Sequence, residues 1–119
     1  MRDYRHGSIW FVNFEPSIGT EIKKTRPALI ISASDFNQIR KKITLLPITS
    51  QIIEAPKIAP VVVNVRATAS NGLNRDSTIV AIEPNTFDKQ RLIKYLGQLD
   101  VEILEEVKQK LQIYLNFVS

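Results

Sequence analysis

Arg26 stands directly before Pro27, where a polar loop spanning residues 15–24 gives way to an apolar run. Proline biases the residue before it toward an extended backbone and has no N–H of its own. The guanidinium is therefore fixed at a strand entrance instead of riding on a loop tip. Its planar donor fork suits a phosphate group, and Lys23 and Lys24 beside it raise the local positive potential. A second chemical cluster lies in Pro47-Ile48-Thr49-Ser50, where two hydroxyls leave the apolar run of residues 43–46. Hydroxyls at a strand end can donate to a phosphate oxygen. Each pattern also has an ordinary meaning, a solvated basic surface in the first case and turn chemistry in the second. What they amount to together depends on whether the fold brings residue 26 to residue 49.

Other chemistries are narrowed by what the chain holds. It contains no Cys, so a disulfide scaffold, a thiolate metal site and a cysteine nucleophile are excluded. Its one His, His6, lies in the polar N-terminal stretch before the first apolar run and is read as exposed or packed at an edge, not as a general base. No metal or other cofactor is expected. The net charge of +4 arises wholly in residues 1–50, which carry eight basic and four acidic side chains, while the rest carries eight of each. An anionic partner would be met in that first half. No apolar run approaches the roughly 18 residues of a membrane span, and the basic start is not a signal peptide. A soluble, cytoplasmic protein with no membrane partner is expected.

The elements that must position these groups can be read from periodicity. With 119 residues the chain has one domain's worth of core, residues 1–119 forming a single unit that buries roughly two-thirds of its unfolded surface. Five short β-type runs, 9–14, 28–32, 43–48, 61–65 and 78–82, are rich in branched or aromatic residues and bounded by Pro, Gly, Asn or Ser. No crossover helices separate them, so a mainly antiparallel sheet curled into a small barrel or sandwich is the economical fold. The last segment differs. Val101, Leu104, Val107, Leu111, Tyr114, Leu115 and Val118 recur at helical steps after Asp100, which can cap the helix. Its apolar face is expected against the barrel or a second subunit. Residues 91–99 fit a helix or a strand on pattern alone, because Gly97 costs a helix about 1 kcal/mol. Residues 15–24 and 67–77 read as loops, the second with Asn71-Gly72 as a turn signal.

The string Gly7-Ser8-Ile9-Trp10-Phe11-Val12-Asn13-Phe14-Glu15-Pro16, followed by Gly19-Thr20-Glu21-Ile22-Lys23-Lys24-Thr25-Arg26-Pro27-Ala28-Leu29-Ile30-Ile31-Ser32, resembles the opening of the MazF/PemK (Kid) toxins. The resemblance continues through Leu46-Pro47-Ile48-Thr49-Ser50, Gly72-Leu73 with Ser77, and Thr86-Phe87-Asp88-Lys89-Gln90-Arg91-Leu92, in order and over nearly the whole chain.

That resemblance implies an SH3-like, mainly β barrel with a C-terminal helix, of the kind shared by the CcdB and PemK toxins. It implies a homodimer, a groove for single-stranded RNA and an acidic antitoxin that blocks the groove. It also makes residues 91–99 a strand. The activity it implies is sequence-specific endoribonucleolytic cleavage within a type II toxin–antitoxin pair. Position by position, Arg26 matches the family's catalytic arginine, Thr49 its catalytic threonine and Glu21 a loop glutamate implicated in some members, with Lys23, Lys24, Thr25 and Ser50 as RNA-contacting neighbours. The Kid toxin's fifth-strand Asp and Arg fall here at Ile82 and Val80, and its loop His at Thr20. The chain thus resembles the Arg/Thr type. The 2′-hydroxyl of RNA is an internal nucleophile, so the implied reaction needs no metal and leaves a 2′,3′-cyclic phosphate and a 5′-hydroxyl. Arg26 would clamp phosphate and donate a proton, Thr49 would position an oxygen, and Glu21 is the candidate base. The rivals from other classes are a CcdB-like gyrase poison, whose Trp-Gly-Ile tail has no counterpart in Asn116-Phe117-Val118-Ser119, and a barrel that binds RNA without cutting it.

Overall fold

The computed structural model describes residues 3–14, 25–51 and 61–118. The elements run β1 (Ser8–Asn13), β2 (Thr25–Ile30), α1 (Ser34–Ile39), β3 (Lys42–Thr49), β4 (Val62–Val65), β5 (Ser77–Val80), β6 (Asn85–Asp88), a 3-10 turn at Lys89–Arg91, β7 (Leu92–Gln98) and α2 (Val101–Tyr114). All the strand pairings described are antiparallel, in the order β4-β5-β3-β2-β1-β7, with β6 added beside β3. The mainly β fold with one C-terminal helix is as the sequence leads one to expect, and the ambiguous 91–99 stretch is largely strand. No helix among the described residues is long and apolar enough to cross a membrane.

The curled sheet has two apolar faces, set by alternation along each strand. Ile9, Leu29, Leu46, Ile48 and Ile79 meet Leu99, Leu104 and Val107 on one of them. Trp10, Val12, Ala28, Ile30, Ile43 and Leu45 form the other, with Tyr4, Phe87 and Tyr95 packed around them. Trp10 is buried there, stacked on Tyr4, and its Nε1–H donates to Ser8 Oγ at 3.0 Å.

The long strand β3 changes partners along its length. Residues 42–45 pair with β6, and Ile48 and Thr49 pair with β5, so the exchange falls at Leu46–Pro47. On its other side β3 pairs with β2 only from Ala28–Pro47 through Ile30–Leu45. Beyond that point both strands continue, but apart. Pro27 stays opposite Phe11 and Arg26 opposite Val12 of β1, whereas Ile48 and Thr49 stay opposite Ile79 and Thr78 of β5. Pro27 and Pro47 have no N–H with which to add rungs at this place. The sheet therefore forks between β2 and β3.

α2 follows the expected helix, with two differences. Asp100 occupies the N-cap position, but its side chain makes no capping hydrogen bond. Only part of the apolar stripe docks: Leu104 and Val107 are buried, while Val101, Tyr114, Leu115 and Val118 are exposed. The docked part is tied down at Lys110, whose ammonium donates to the Val62 carbonyl at 2.9 Å. Two elements have no counterpart in the sequence reading. α1 spans six residues, less than two helical turns, and β6 (Asn85–Asp88) has a single large apolar residue, Phe87, so neither carries a periodic signal.

Candidate functional site

The fork between β2 and β3 opens a cavity of about 510 Å³. Its floor continues the first apolar face: Phe11, Pro27, Ile48, Leu73 and Leu96 line it. Around this floor stand Thr25 and Arg26 from β2, Thr49 at the end of β3, Ser50 and Gln51 just beyond it, and Asn74 and Arg75 from the 67–77 loop. Among the described residues that line it there are two cations and no carboxylate.

The groups singled out in the sequence divide clearly. Arg26, Thr25, Thr49 and Ser50 meet at this one cavity. Two positions past the last paired residues of the β2–β3 ladder, Arg26 and Thr49 sit on the two prongs of the fork, each held by its outer neighbour strand. Arg26 is exposed and Thr49 half-buried. The Gln51 backbone N–H donates to Thr49 Oγ1 at 3.3 Å. A hydroxyl that accepts from the main chain keeps its own proton for a ligand. Glu21, Lys23, Lys24 and Thr20 lie outside the described residues.

His6 is not part of this cavity. Its ring Nδ1 lies 3.0 Å from the Ile31 carbonyl and its backbone N–H donates to Ser34 Oγ at 2.9 Å, which makes it a half-buried brace between the N-terminal stretch and the segment after β2. Asn37 is buried: it donates to the Tyr4 and Ser32 carbonyls and accepts from Ser32 Oγ. That network holds α1 to the sheet. Val80 lies at the end of β5, and neither it nor Ile82 reaches the cavity.

Arg75 and Phe11 are contributions to the cavity that sequence reasoning missed. Phe11 alternates with the buried Ile9 and so extends that apolar face, a signal present in the strand pattern. Arg75 carried no signal, being a single Arg in a loop. That loop is rigidly built. The buried Asn71 accepts from the Thr68 and Leu73 N–H groups, both at 3.0 Å, and donates to the Arg66 carbonyl at 2.8 Å. Gly72, at φ +70°, lies against the backbone of Leu96, and Gly97 lies against the backbone of Ser70 and Asn71, so that a Cβ on either would collide with main-chain atoms. The Gln98 N–H donates to the Ser70 carbonyl at 2.9 Å and completes the joint between loop and β7.

An exposed guanidinium and a half-buried hydroxyl on separate strands, above an apolar floor, can together donate hydrogen bonds to an anion such as a phosphate. A profile of the family described as "PemK-like, MazF-like toxin of type II toxin-antitoxin system" matches residues 5–115. The chain belongs to that family. Among its curated relatives, Endoribonuclease EndoA of Bacillus subtilis (strain 168) is 31% identical over 97% of this chain and 97% of its own. Endoribonuclease MazF9 of Mycobacterium tuberculosis is 30% identical, over 97% of this chain and 98% of its own. The MazE–MazF structure from Deinococcus radiodurans superposes with a TM-score of 0.79 at 24% identity, over 99% of this chain and 100% of that one, a likeness of fold. In this PemK-like chain the fork lies where the fold places Arg26 and Thr49 within reach of one cavity.

Proposed function

We propose that this chain, as one toxin domain over residues 1–119, is the toxin half of a type II toxin–antitoxin pair and acts as a metal-independent, sequence-specific endoribonuclease on single-stranded RNA, messenger RNA included. The observation that carries the reading is the convergence of Arg26 and Thr49 on one cavity in a chain of this family. The substrate's own 2′-hydroxyl attacks the adjacent phosphorus, so no covalent enzyme intermediate is required. Charge then builds on the non-bridging oxygens. Arg26 clamps these through its fork of N–H donors and supplies a proton, and Thr49 Oγ1 donates to one of them. Glu21 takes the proton of the 2′-hydroxyl, with Lys23, Lys24, Thr25 and Ser50 contacting the flanking RNA. The products are a 2′,3′-cyclic phosphate and a 5′-hydroxyl.

The partners follow from the same reading. An acidic antitoxin covers the positive cavity; that similar folds have been solved with an antitoxin bound supports an antitoxin partner. The chain works in the cytoplasm as a homodimer, and the exposed apolar side chains Ile113, Tyr114 and Phe117 at the end of α2 support a second copy as their cover. Light scattering on the eluting protein should give twice the 13.5 kDa chain mass.

One assay tests the function. Purified protein incubated with a long RNA in EDTA should yield discrete fragments with cyclic-phosphate ends. Intact RNA that is nevertheless bound would favour a non-cleaving barrel, and DNA breaks trapped with gyrase would favour a poison of that enzyme.

A further inference from the structure

The cavity holds a second guanidinium to which the cleavage chemistry gives no task. Arg75 lines it together with Arg26, arriving from the 67–77 loop instead of from a strand. Its main chain is held in place: the Arg75 carbonyl accepts from Ser77 Oγ at 2.9 Å, and the neighbouring Asp76 carboxylate accepts the Ala67 N–H at 2.9 Å. Among the described residues the ion pairs are Lys108 with Glu105 and Lys110 with Glu106, both within α2, so neither Arg75 nor Arg26 has a carboxylate partner there. Two guanidiniums facing one cavity, with no carboxylate among the described residues that line it, favour the entry of an anion.

The size and lining of the cavity say how the anion is arranged. A volume of about 510 Å³ exceeds what a lone phosphate group fills, and Phe11, Leu73 and Leu96 offer an apolar surface between the polar groups. A nucleotide fits that description, its base on the apolar floor and a phosphate on either side of its ribose. Resting on the endoribonuclease reading for the identity of the strand, we propose that Arg75 binds the phosphodiester neighbouring the one held by Arg26, so that the cavity seats one nucleotide between two guanidiniums. Arg75 is then a substrate-binding residue. It holds a phosphate that does not react, and its contribution is the same before and at the transition state, which raises affinity without altering the chemical step.

The test compares wild type, Arg75→Gln and Arg75→Lys on a single-stranded oligonucleotide containing a cleavage site mapped with the wild-type protein. Arg75→Gln should raise KM about tenfold, as expected for one charge-assisted hydrogen-bond set, with kcat changed less than about twofold. The log–log salt dependence of binding should become shallower by about 0.7, the value of one phosphate contact on a single strand. Arg75→Lys should restore the slope. A neutral methylphosphonate at the linkage next to the cut should weaken wild-type binding and leave Arg75→Gln indifferent. An unchanged KM and salt slope in Arg75→Gln, or a fall in kcat at constant KM, would overturn the assignment. Should wild type cut no RNA, it is the endoribonuclease reading that fails, and the salt slope for binding uncut single-stranded RNA still decides whether Arg75 meets a phosphate.

Discussion

Arg26 and Thr49 occupy the two prongs of a forked sheet, two positions beyond the Ala28–Pro47 pair at which the β2–β3 ladder stops. Arg26 remains in register with Val12 of β1 and Thr49 with Thr78 of β5. Each group is thus anchored on the side away from the cavity and free on the side toward it. Strand backbones hold such groups more exactly than loops do, which is what stabilising a developing charge requires.

Removal of the guanidinium should end catalysis without harming the fold. Arg26 is exposed, so Arg26→Ala should change stability by no more than about 0.5 kcal/mol in a urea titration. Its cleavage rate on single-stranded RNA should fall by about 10³-fold or more, measured in single turnover. A variant retaining a tenth of the wild-type rate would remove Arg26 from the centre of the mechanism.

The hydroxyl at position 49 can be separated from the shape of its side chain. Thr49→Val keeps the volume and loses the donor, and should lower the single-turnover rate by about 10²- to 10³-fold. Thr49→Ser keeps the donor and should recover most of that loss. Equal rates for the two variants would mean that packing, not hydrogen bonding, is what residue 49 supplies.

For Glu21 the informative measurement is a pH profile. A carboxylate acting as base must be ionised, so the wild-type rate should fall on the acid side as Glu21 is protonated. In Glu21→Gln that acid limb should vanish along with most of the activity, while RNA binding persists. A profile that keeps its shape in the variant would assign the base elsewhere.

The loop that carries Arg75 should prove as sensitive as any core position. Asn71→Ala leaves the Thr68 and Leu73 N–H groups without the acceptor they share, and should cost about 2–3 kcal/mol in chemical denaturation. Gly72→Ala combines an unfavourable positive φ with a collision against Leu96 and should cost about 2 kcal/mol or more. Stability within 0.5 kcal/mol of wild type in either variant, a margin typical of surface changes, would show the loop to be loosely held.

Much of this arrangement was legible in the sequence, and the remainder was hidden for identifiable reasons. Alternation gave β1, β3 and β4 nearly to their ends, and three- and four-residue spacing gave α2. Arg26 announced itself through Pro27, since a proline restricts its predecessor whatever the fold. The fork itself could not be read, because it depends on which strands keep their pairing, a relation between segments and not a property of either one. Arg75 was equally silent: a lone arginine in a loop has no period, and its meaning comes from the backbone joint between residues 70–72 and 96–98. The apolar repeat of α2 was overextended, as Tyr114, Leu115 and Val118 keep the spacing after the barrel beneath them has ended.

The interlocked glycines at 72 and 97 separate what the loop is from what it presents. Because main chain rests on main chain there, the exposed side chains at 74 and 75 can be exchanged without shifting the frame that aims them. Substitutions at 74 and 75 would thus change what the loop presents to a ligand while Arg26 and Thr49 stay where β2 and β3 hold them.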